Sequence, residues 1–278
     1  MQRFIFYSDT DSLELRYVSE ATGLGVPSVD IESTKGYRQD GVTVHGVDYQ
    51  PRVFSLSFGI AGKNFLAAAD ERRKVARFFA DKKPKKFVYM RDNFTAYLYP
   101  VYLMGGYETP IASSRLMPSV VQFMAGDPYF KNDIPATSAV IEEPLLEWPE
   151  DGLELPEDGI ELSATTTKLM VYNNGDVQSD AIIRFVGPAV TPYVENQTTG
   201  ERIEVDRELD EGDVLEINSE TGRVDIIDVD GRHNAFNYIT DDSEFITLAP
   251  GDNEIEFGSA GGALGYIEIR GIERYAGI

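Results

Sequence analysis

From residue 168 onward the chain is cut into short pieces, and that punctuation limits the fold more than any other feature. Turn-forming groups recur about every ten residues: Asn173-Asn-Gly, Thr199-Gly, Thr221-Gly, Asp230-Gly, Pro250-Gly-Asp-Asn and the glycines around Gly261. Glycine and asparagine supply the backbone conformations that reverse a chain, and no helix of ordinary length fits between such signals. What fits is strand: Lys168 to Tyr172, Ala181 to Val186, Arg202 to Val205, Val214 to Ile217, Arg223 to Val229, Phe245 to Leu248, Ile255 to Phe257 and Gly265 to Ile269. The spacing predicts a β-sandwich with no helix of ordinary length after residue 140.

The first half is also mainly β. Phe54, Leu56, Phe58 and Ile60 alternate with Val53, Ser55 and Ser57, the period-two signature of a half-buried strand. Similar alternation covers Phe4 to Tyr7, Phe87 to Met90, Ala96 to Leu103 and Ser119 to Ala125. One helix interrupts it, over 64–81. Phe65, Leu66, Ala69, Ala76 and Phe79 approximate helical spacing, Asn64 caps the start, Asp70/Lys74 and Arg77/Asp81 are placed to pair, and Pro84 bars continuation.

At 278 residues the chain is long for one domain, and charge shows where it divides. Residues 1–135 hold 17 basic and 15 acidic side chains, a net of +2; the remaining 8 basic and 32 acidic give −24 beyond residue 135. The change coincides with a proline-rich stretch that places the boundary near residues 131–145. We therefore expect a domain over 1–135, a Pro/acid-rich connection over 136–162 and an acidic β-sandwich over 163–278. Within the connection, Pro149-Glu-Asp-Gly-Leu-Glu-Leu is followed at once by Pro156-Glu-Asp-Gly-Ile-Glu-Leu, two turn-plus-short-strand units. A field of −24 repels phosphate backbones and anionic lipid, so nucleic acid and membrane are poor partners for the second half. No apolar run is long enough for a spanning helix, and the opening Met1-Gln-Arg-Phe-Ile-Phe-Tyr has no signal-peptide pattern, so export is not expected.

Catalytic material is sparse. There is no cysteine, hence no disulfide, thiolate nucleophile or zinc-thiolate site. His45 lies in the strand-like Val42 to Val47 and His233 follows an Asp-Gly turn; neither is set in a nucleophile motif. Carboxylates abound, but abundance alone identifies no glycosidase pair. Asp228-x-Asp230-Gly231 has the centre of a calcium loop, yet the pattern would need ligands at Ile226 and Asn237, so a tight turn is the better reading. No dinucleotide or phosphate-binding fingerprint occurs, and Gly261-Gly-Ala-Leu-Gly opens no helix. The expectation is a non-enzyme without metal or cofactor. The sequons at Asn93 and Asn196 carry no weight without export.

Two clusters are candidates for partner contact. Lys82, Lys83, Lys85 and Lys86 form a basic island after the helix, either a solvated helix end or a docking point for an acidic surface. Tyr97, Tyr99, Tyr102 and Tyr107 put bulk on both faces of a strand pair; core packing uses one face, and the other suits an oligomer interface.

The order of motifs resembles the siphovirus distal tail protein family. It is carried by Asn173-Asn-Gly-Asp to Gly187, Pro192-Tyr-Val-Glu-Asn to Val205, Glu211-Gly-Asp-Val-Leu-Glu-Ile-Asn218, Ser243 to Ile255 and the terminal Arg274-Tyr-Ala-Gly-Ile; Pro51 to Gly62 ahead of a basic helix, and Asp127-Pro-Tyr, match the N-terminal region. The resemblance implies a β-rich N-terminal belt domain with one helix, followed by a galectin-like β-sandwich. It further implies a hexameric ring at the distal end of a long non-contractile tail, joining the tail tube protein to tail-associated and receptor-binding proteins, in a virion component made in bacterial cytoplasm. A competing reading is a carbohydrate-binding module that contacts the host cell wall. It rests on sandwich architecture alone, with Trp148, the sole tryptophan, in the connection. A glycan hydrolase rests only on carboxylate count.

Overall fold

A computed structural model describes residues 2–108, 116–140, 167–260 and 265–278. The 149–162 repeat, Trp148 and the glycines at 261–262 lie outside them. The chain forms two compact units: residues 1–132 with Arg274–Ile278, and Asp133–Glu273. Both are mainly β, as the sequence predicts, and the described residues contain one α-helix.

The first unit contains β1 (Gln2–Tyr7), β2 (Ser12–Leu15), β3 (Val18–Thr22), β4 (Val29–Thr34), β5 (Thr43–Tyr49), β6 (Arg52–Ala61), α1 (Phe65–Ala80), β7 (Lys85–Arg91), β8 (Phe94–Leu103), β9 (Leu116–Ala125) and the start of β10 (Phe130–Val140). Seven strands pair antiparallel in the order β2-β1-β7-β8-β9-β6-β3. The two end strands are consecutive in sequence. Only Arg16 and Tyr17 separate them, about 10 Å of chain, so the sheet must roll until its ends meet, where the Gly59 amide donates to the Tyr17 carbonyl. Inside the roll, Phe6, Phe54, Phe87 and Phe123 pack with ring centroids 4.6 to 5.1 Å apart. Burying each such ring contributes about 1.5–3 kcal/mol.

Helix α1 starts where the sequence predicts, the Asn64 carboxamide accepting the Ala67 amide at 2.9 Å. Its buried face is Ala68, Val75 and Phe79, while Phe65 and Leu66 are exposed, a rotation from the stripe expected above. Lys74 pairs with Glu71 rather than Asp70, and Asp81 turns to Lys85. The entry turn requires Gly62, because a Cβ there would sit 2.3 Å from the Ala68 nitrogen.

The terminal pentapeptide belongs to the first unit, not to the second as the sequence suggested, and Arg52 accounts for this. Its side chain is 2% exposed and stacks over Phe130 at 4.7 Å. Its guanidinium donates to the carbonyls of Gly23, Gly25, Pro128 and Ala276 at 2.5–2.9 Å, pinning two loops and the terminus together. Burial pushes its pKa down to about 10, with Asp127 offsetting, so it stays charged at neutral pH. Tyr275 on Phe94 and the Ile278 amide on the Leu24 carbonyl complete the attachment.

The second unit is a sandwich. Its strands, after the last part of β10, are β11 (Thr167–Asn173), β12 (Ser179–Val186), β13 (Ala189–Val190), β14 (Tyr193–Asn196), β15 (Glu201–Glu204), β16 (Glu208–Leu209), β17 (Val214–Asn218), β18 (Arg223–Asp228), β19 (Gly231–Asn234), β20 (Thr247–Leu248), β21 (Gly251–Gly258) and most of β22 (Tyr266–Tyr275). One sheet runs β19-β18-β17-β12-β22 and the other β11-β21-β14-β15. Ile183, Phe185, Leu215, Ile217, Ile267 and Ile269 from the first sheet meet Val194, Ile255 and Phe257 from the second. The turn motifs converge on a buried polar pin. Asn253 Oδ1 accepts the Ala249 amide at 2.8 Å and Asn196 Nδ2 at 3.1 Å; Asn196 also donates to the Thr247 carbonyl and Asn173 to the Leu248 carbonyl. All three asparagines are essentially inaccessible.

Candidate assembly surface

The two candidate clusters do not form continuous surfaces. Lys85 is buried over Phe78 and donates to the Asp81 and Lys83 carbonyls; Lys86 lies 3.7 Å from the Tyr97 ring centroid; Lys83 pairs with Asp9. Only Lys82 and Lys83 remain well exposed. Among the tyrosines, Tyr97 is covered by Lys86 and Tyr107 stacks on Phe58 with its hydroxyl buried, which leaves Tyr99 and Tyr102 at the surface.

Tyr102 leads to a larger feature. It pairs with Met124, and Met124 with Val53, across β8, β9 and β6, and all three are exposed. The outward row continues as Ser55 opposite Gln122, Ser57 opposite Val120, Gly59 opposite Pro118 and Ala61 opposite Leu116. None of these ten β6 and β9 positions carries a charge, in a chain that is 26% charged. Val120 and Leu116 are about half exposed. The two central strands thus present an uncharged, partly apolar outer face of the kind a covered interface requires, bordered by Glu20 opposite Ser57 on β3 and Glu108 opposite Val120 beyond β9.

The β4–β5 hairpin is a second uncovered surface. Among the described residues it pairs only with itself. Its register puts Val29 opposite Tyr49 and Ile31 opposite Val47, with Val44 continuing the row, so one face is apolar. The other face is acidic: Asp30 lies directly opposite Asp48, and the Glu32 and Asp48 carboxylates both approach Gly46. Tyr49 touches Tyr129 at the base of the hairpin, while Val29, Ile31, Val44 and Val47 are 45–61% exposed. A lone two-stranded ribbon is marginal in water. The sequence signal was present in Val29-x-Ile31 and Val42-x-Val44; it was missed because only the β5 half was read as strand.

The histidines sit in ordinary contacts. His45 shares a 2.7 Å hydrogen bond with Thr34, and His233 lies 3.2 Å from Asp228. The Asp228 carboxylate also accepts the Asp230 and Gly231 amides, which makes this segment a tight turn. A groove of about 540 Å³ between β2, the end of β6 and α1 is lined by side chains already in use, Glu14 bound to Arg3 and Glu71 to Lys74.

Two family models match the chain: the phage tail protein RIFT-related domain over residues 17–123, and the siphovirus-type tail component, C-terminal domain, over residues 174–270. The chain belongs to the siphovirus distal tail protein family. The matched segments fall one in each structural unit, and the RIFT-related segment contains the hairpin and, apart from Met124, the outward row of β6 and β9. The crystal structure of phage SPP1 Dit, described as a paradigm of the hub adsorption apparatus in phages infecting Gram-positive bacteria, aligns with a TM-score of 0.68 over 98% of each chain at 12% identity. The phage P2 baseplate in its activated conformation with calcium aligns with a TM-score of 0.49 over 100% of each chain at 11% identity. No curated protein sequence matches the chain.

Proposed function

We propose that this distal tail protein is the hub of a long non-contractile phage tail: a homohexameric ring whose first unit forms the belt, joining the tail tube to tail-associated and receptor-binding proteins. The observation that carries the reading is the charge-free face of β6 and β9. Such a face needs a protein cover, and a family of tail components supplies the setting. The first half's net charge of +2 permits close packing of copies, whereas −24 beyond residue 135 favours keeping the acidic sandwiches apart, on the outside of the ring. Its role in this reading is assembly rather than catalysis, which the match to tail-component families supports: His233 lies against Asp228, and the Thr34 hydroxyl that meets His45 sits on the exposed β4–β5 hairpin. The protein is made in the host cytoplasm and carried at the distal tip of the virion.

Electron microscopy of intact tails, with the chain labelled at its exposed sandwich, tests the reading. A labelled ring at the end of the tube is expected; a tip without it refutes the hub. Light scattering over a concentration series measures whether the isolated chain closes into the ring alone.

A further inference from the structure

We infer that the apolar face of the β4–β5 hairpin seats on the charge-free β6–β9 face of the next copy, so that each ring contact joins the hairpin of one protomer to the sheet of its neighbour. The inference rests on the ring reading and specifies which surfaces make the ring.

Three features of the first unit select this occupant. The surfaces match in kind: Val29, Ile31, Val44, Val47 and Tyr49 on the hairpin, and Val53, Leu116, Val120, Met124 and Tyr102 on the sheet side, uncharged residues with Glu20 and Glu108 standing at the sheet's borders. They match in extent, each being a two-stranded antiparallel surface, with Tyr102 flanking the sheet. Together they expose apolar side-chain area on the order of 1,000 Å², a substantial part of the roughly 1,200–2,000 Å² that stable interfaces bury. They also match in polarity. With the apolar face seated, Asp30, Glu32 and Asp48 face solvent, where the opposed pair Asp30 and Asp48 is least costly.

Handedness of the contact follows. A sheet face meeting its own copy would close a two-fold dimer and leave both hairpins uncovered. A hairpin meeting a sheet is a head-to-tail contact, the type that builds a ring when the rotation between successive copies closes. The regular edge of β4 is also free to extend pairing, since the register shift near His45 disrupts β5 instead.

The chain has no native cysteine, so engineered thiols report contacts directly. A Val47→Cys copy and a Val120→Cys copy, mixed under mild oxidation, should link as the mixed pair, and the double variant should give a ladder of linked multimers. Where the ring forms only on the tail, the same pair is scored in assembled tails. Self-linked Val120→Cys as the main product would show sheet meeting sheet and overturn the inference. In parallel, Val47→Lys and Val120→Lys should each weaken association at least about 100-fold with unchanged thermal unfolding, because both side chains are exposed. Normal assembly by Val47→Lys, with Val120→Lys dispersed, overturns the hairpin contact while the ring stands. A wild-type chain that is monomeric throughout and leaves no ring on tails refutes both.

Discussion

The outward faces of the two units are built from the same kind of element and filled in opposite ways. In the first unit, the outer positions of β6 and β9 hold no charge, and the first unit's most deeply buried cation, Arg52, is turned inward. In the second, the outer face of β19-β18-β17-β12-β22 carries a run of alternating charge: Arg270–Glu268–Arg184–Glu216–Arg232–Asp225–Arg223. Four of the eight basic residues beyond position 135 stand in that row. The second unit keeps neutral asparagines for its interior. A face that water must wet is laced with ion pairs; a face that protein must cover is stripped of them. The contrast supports the proposed ring contacts in the first unit more directly than total charge does.

The largest effect we predict comes from the internal cation. Arg52→Met removes the donor to four carbonyls and leaves them buried, at a cost of about 3–5 kcal/mol. Denaturant unfolding of the wild type and variant measures it, and protease release of the terminal pentapeptide should accompany the loss. A cost below about 1 kcal/mol would place Arg52 with the surface arginines and erase the contrast.

Next is the neutral pin of the second unit. Asn253→Ala strands the Ala249 amide and the Asn196 carboxamide, and should cost about 2–3 kcal/mol, with faster hydrogen exchange of the 247–251 turn. Asn253→Asp should fare no better, because a buried carboxylate has no donor to replace the amide that serves the Ala249 and Gly251 carbonyls.

Much of this was legible in the sequence, and the rest failed for identifiable reasons. Strands that alternate, such as β6, β9 and β12, were legible because burial on one face writes a period of two. The hairpin β4 was missed because it is exposed on both faces in the isolated chain, so its apolar residues had no core to explain them. Of the tyrosine cluster, Tyr99 and Tyr102 face out while Tyr107 goes inward, and side-chain identity alone does not decide which of four tyrosines faces out. The lysine island looked solvated as a string of letters; Pro84 and the turn at Asp81 bring Lys85 back under Phe78. Arg52 was invisible because its partners are backbone carbonyls up to 224 positions away. Asn173, Asn196 and Asn253 were read as separate turn residues, and only their convergence shows why each turn needs asparagine.

A smaller effect should come from the charged face. Arg184 bridges Glu216 and Glu268 at 3.4 and 3.8 Å on a partly exposed surface, so Arg184→Met should cost about 0.5–1 kcal/mol. The deficit should shrink in 0.5 M salt, where screening shortens the Debye length to roughly 4 Å. Arg52→Met should show no such salt dependence. Equal salt responses would mean that the two arginines differ in depth but not in kind.

The smallest predicted effect is in acid, and it belongs to the first unit. The Glu14 carboxylate accepts from Arg3 at 2.7 Å, and the Asp81 carboxylate accepts the Lys83 amide at 3.1 Å with Lys85 close by. Those hydrogen bonds hold both carboxyls below their ordinary values of 4.5 and 3.8. A carboxylate whose pKa is lower folded than unfolded binds fewer protons in the native state, so its contribution is present at neutral pH and fades as pH falls through the unfolded value to the folded one. Glu14→Gln and Asp81→Asn should therefore melt slightly below the wild type at pH 7, and the gap should close between about pH 5 and 3. Glu14 is partly exposed and Asp81 exposed, so the gap is small and calls for paired calorimetric scans. In the second half, where 32 carboxylates face 8 basic groups, protonation over the same range breaks the ion pairs around Arg184 and Arg232 but on balance relieves repulsion, because carboxylates far outnumber cations. If the Glu14→Gln gap persists unchanged at pH 3, charge on that carboxylate is not what the Arg3 contact uses, and the acid response no longer separates the two halves.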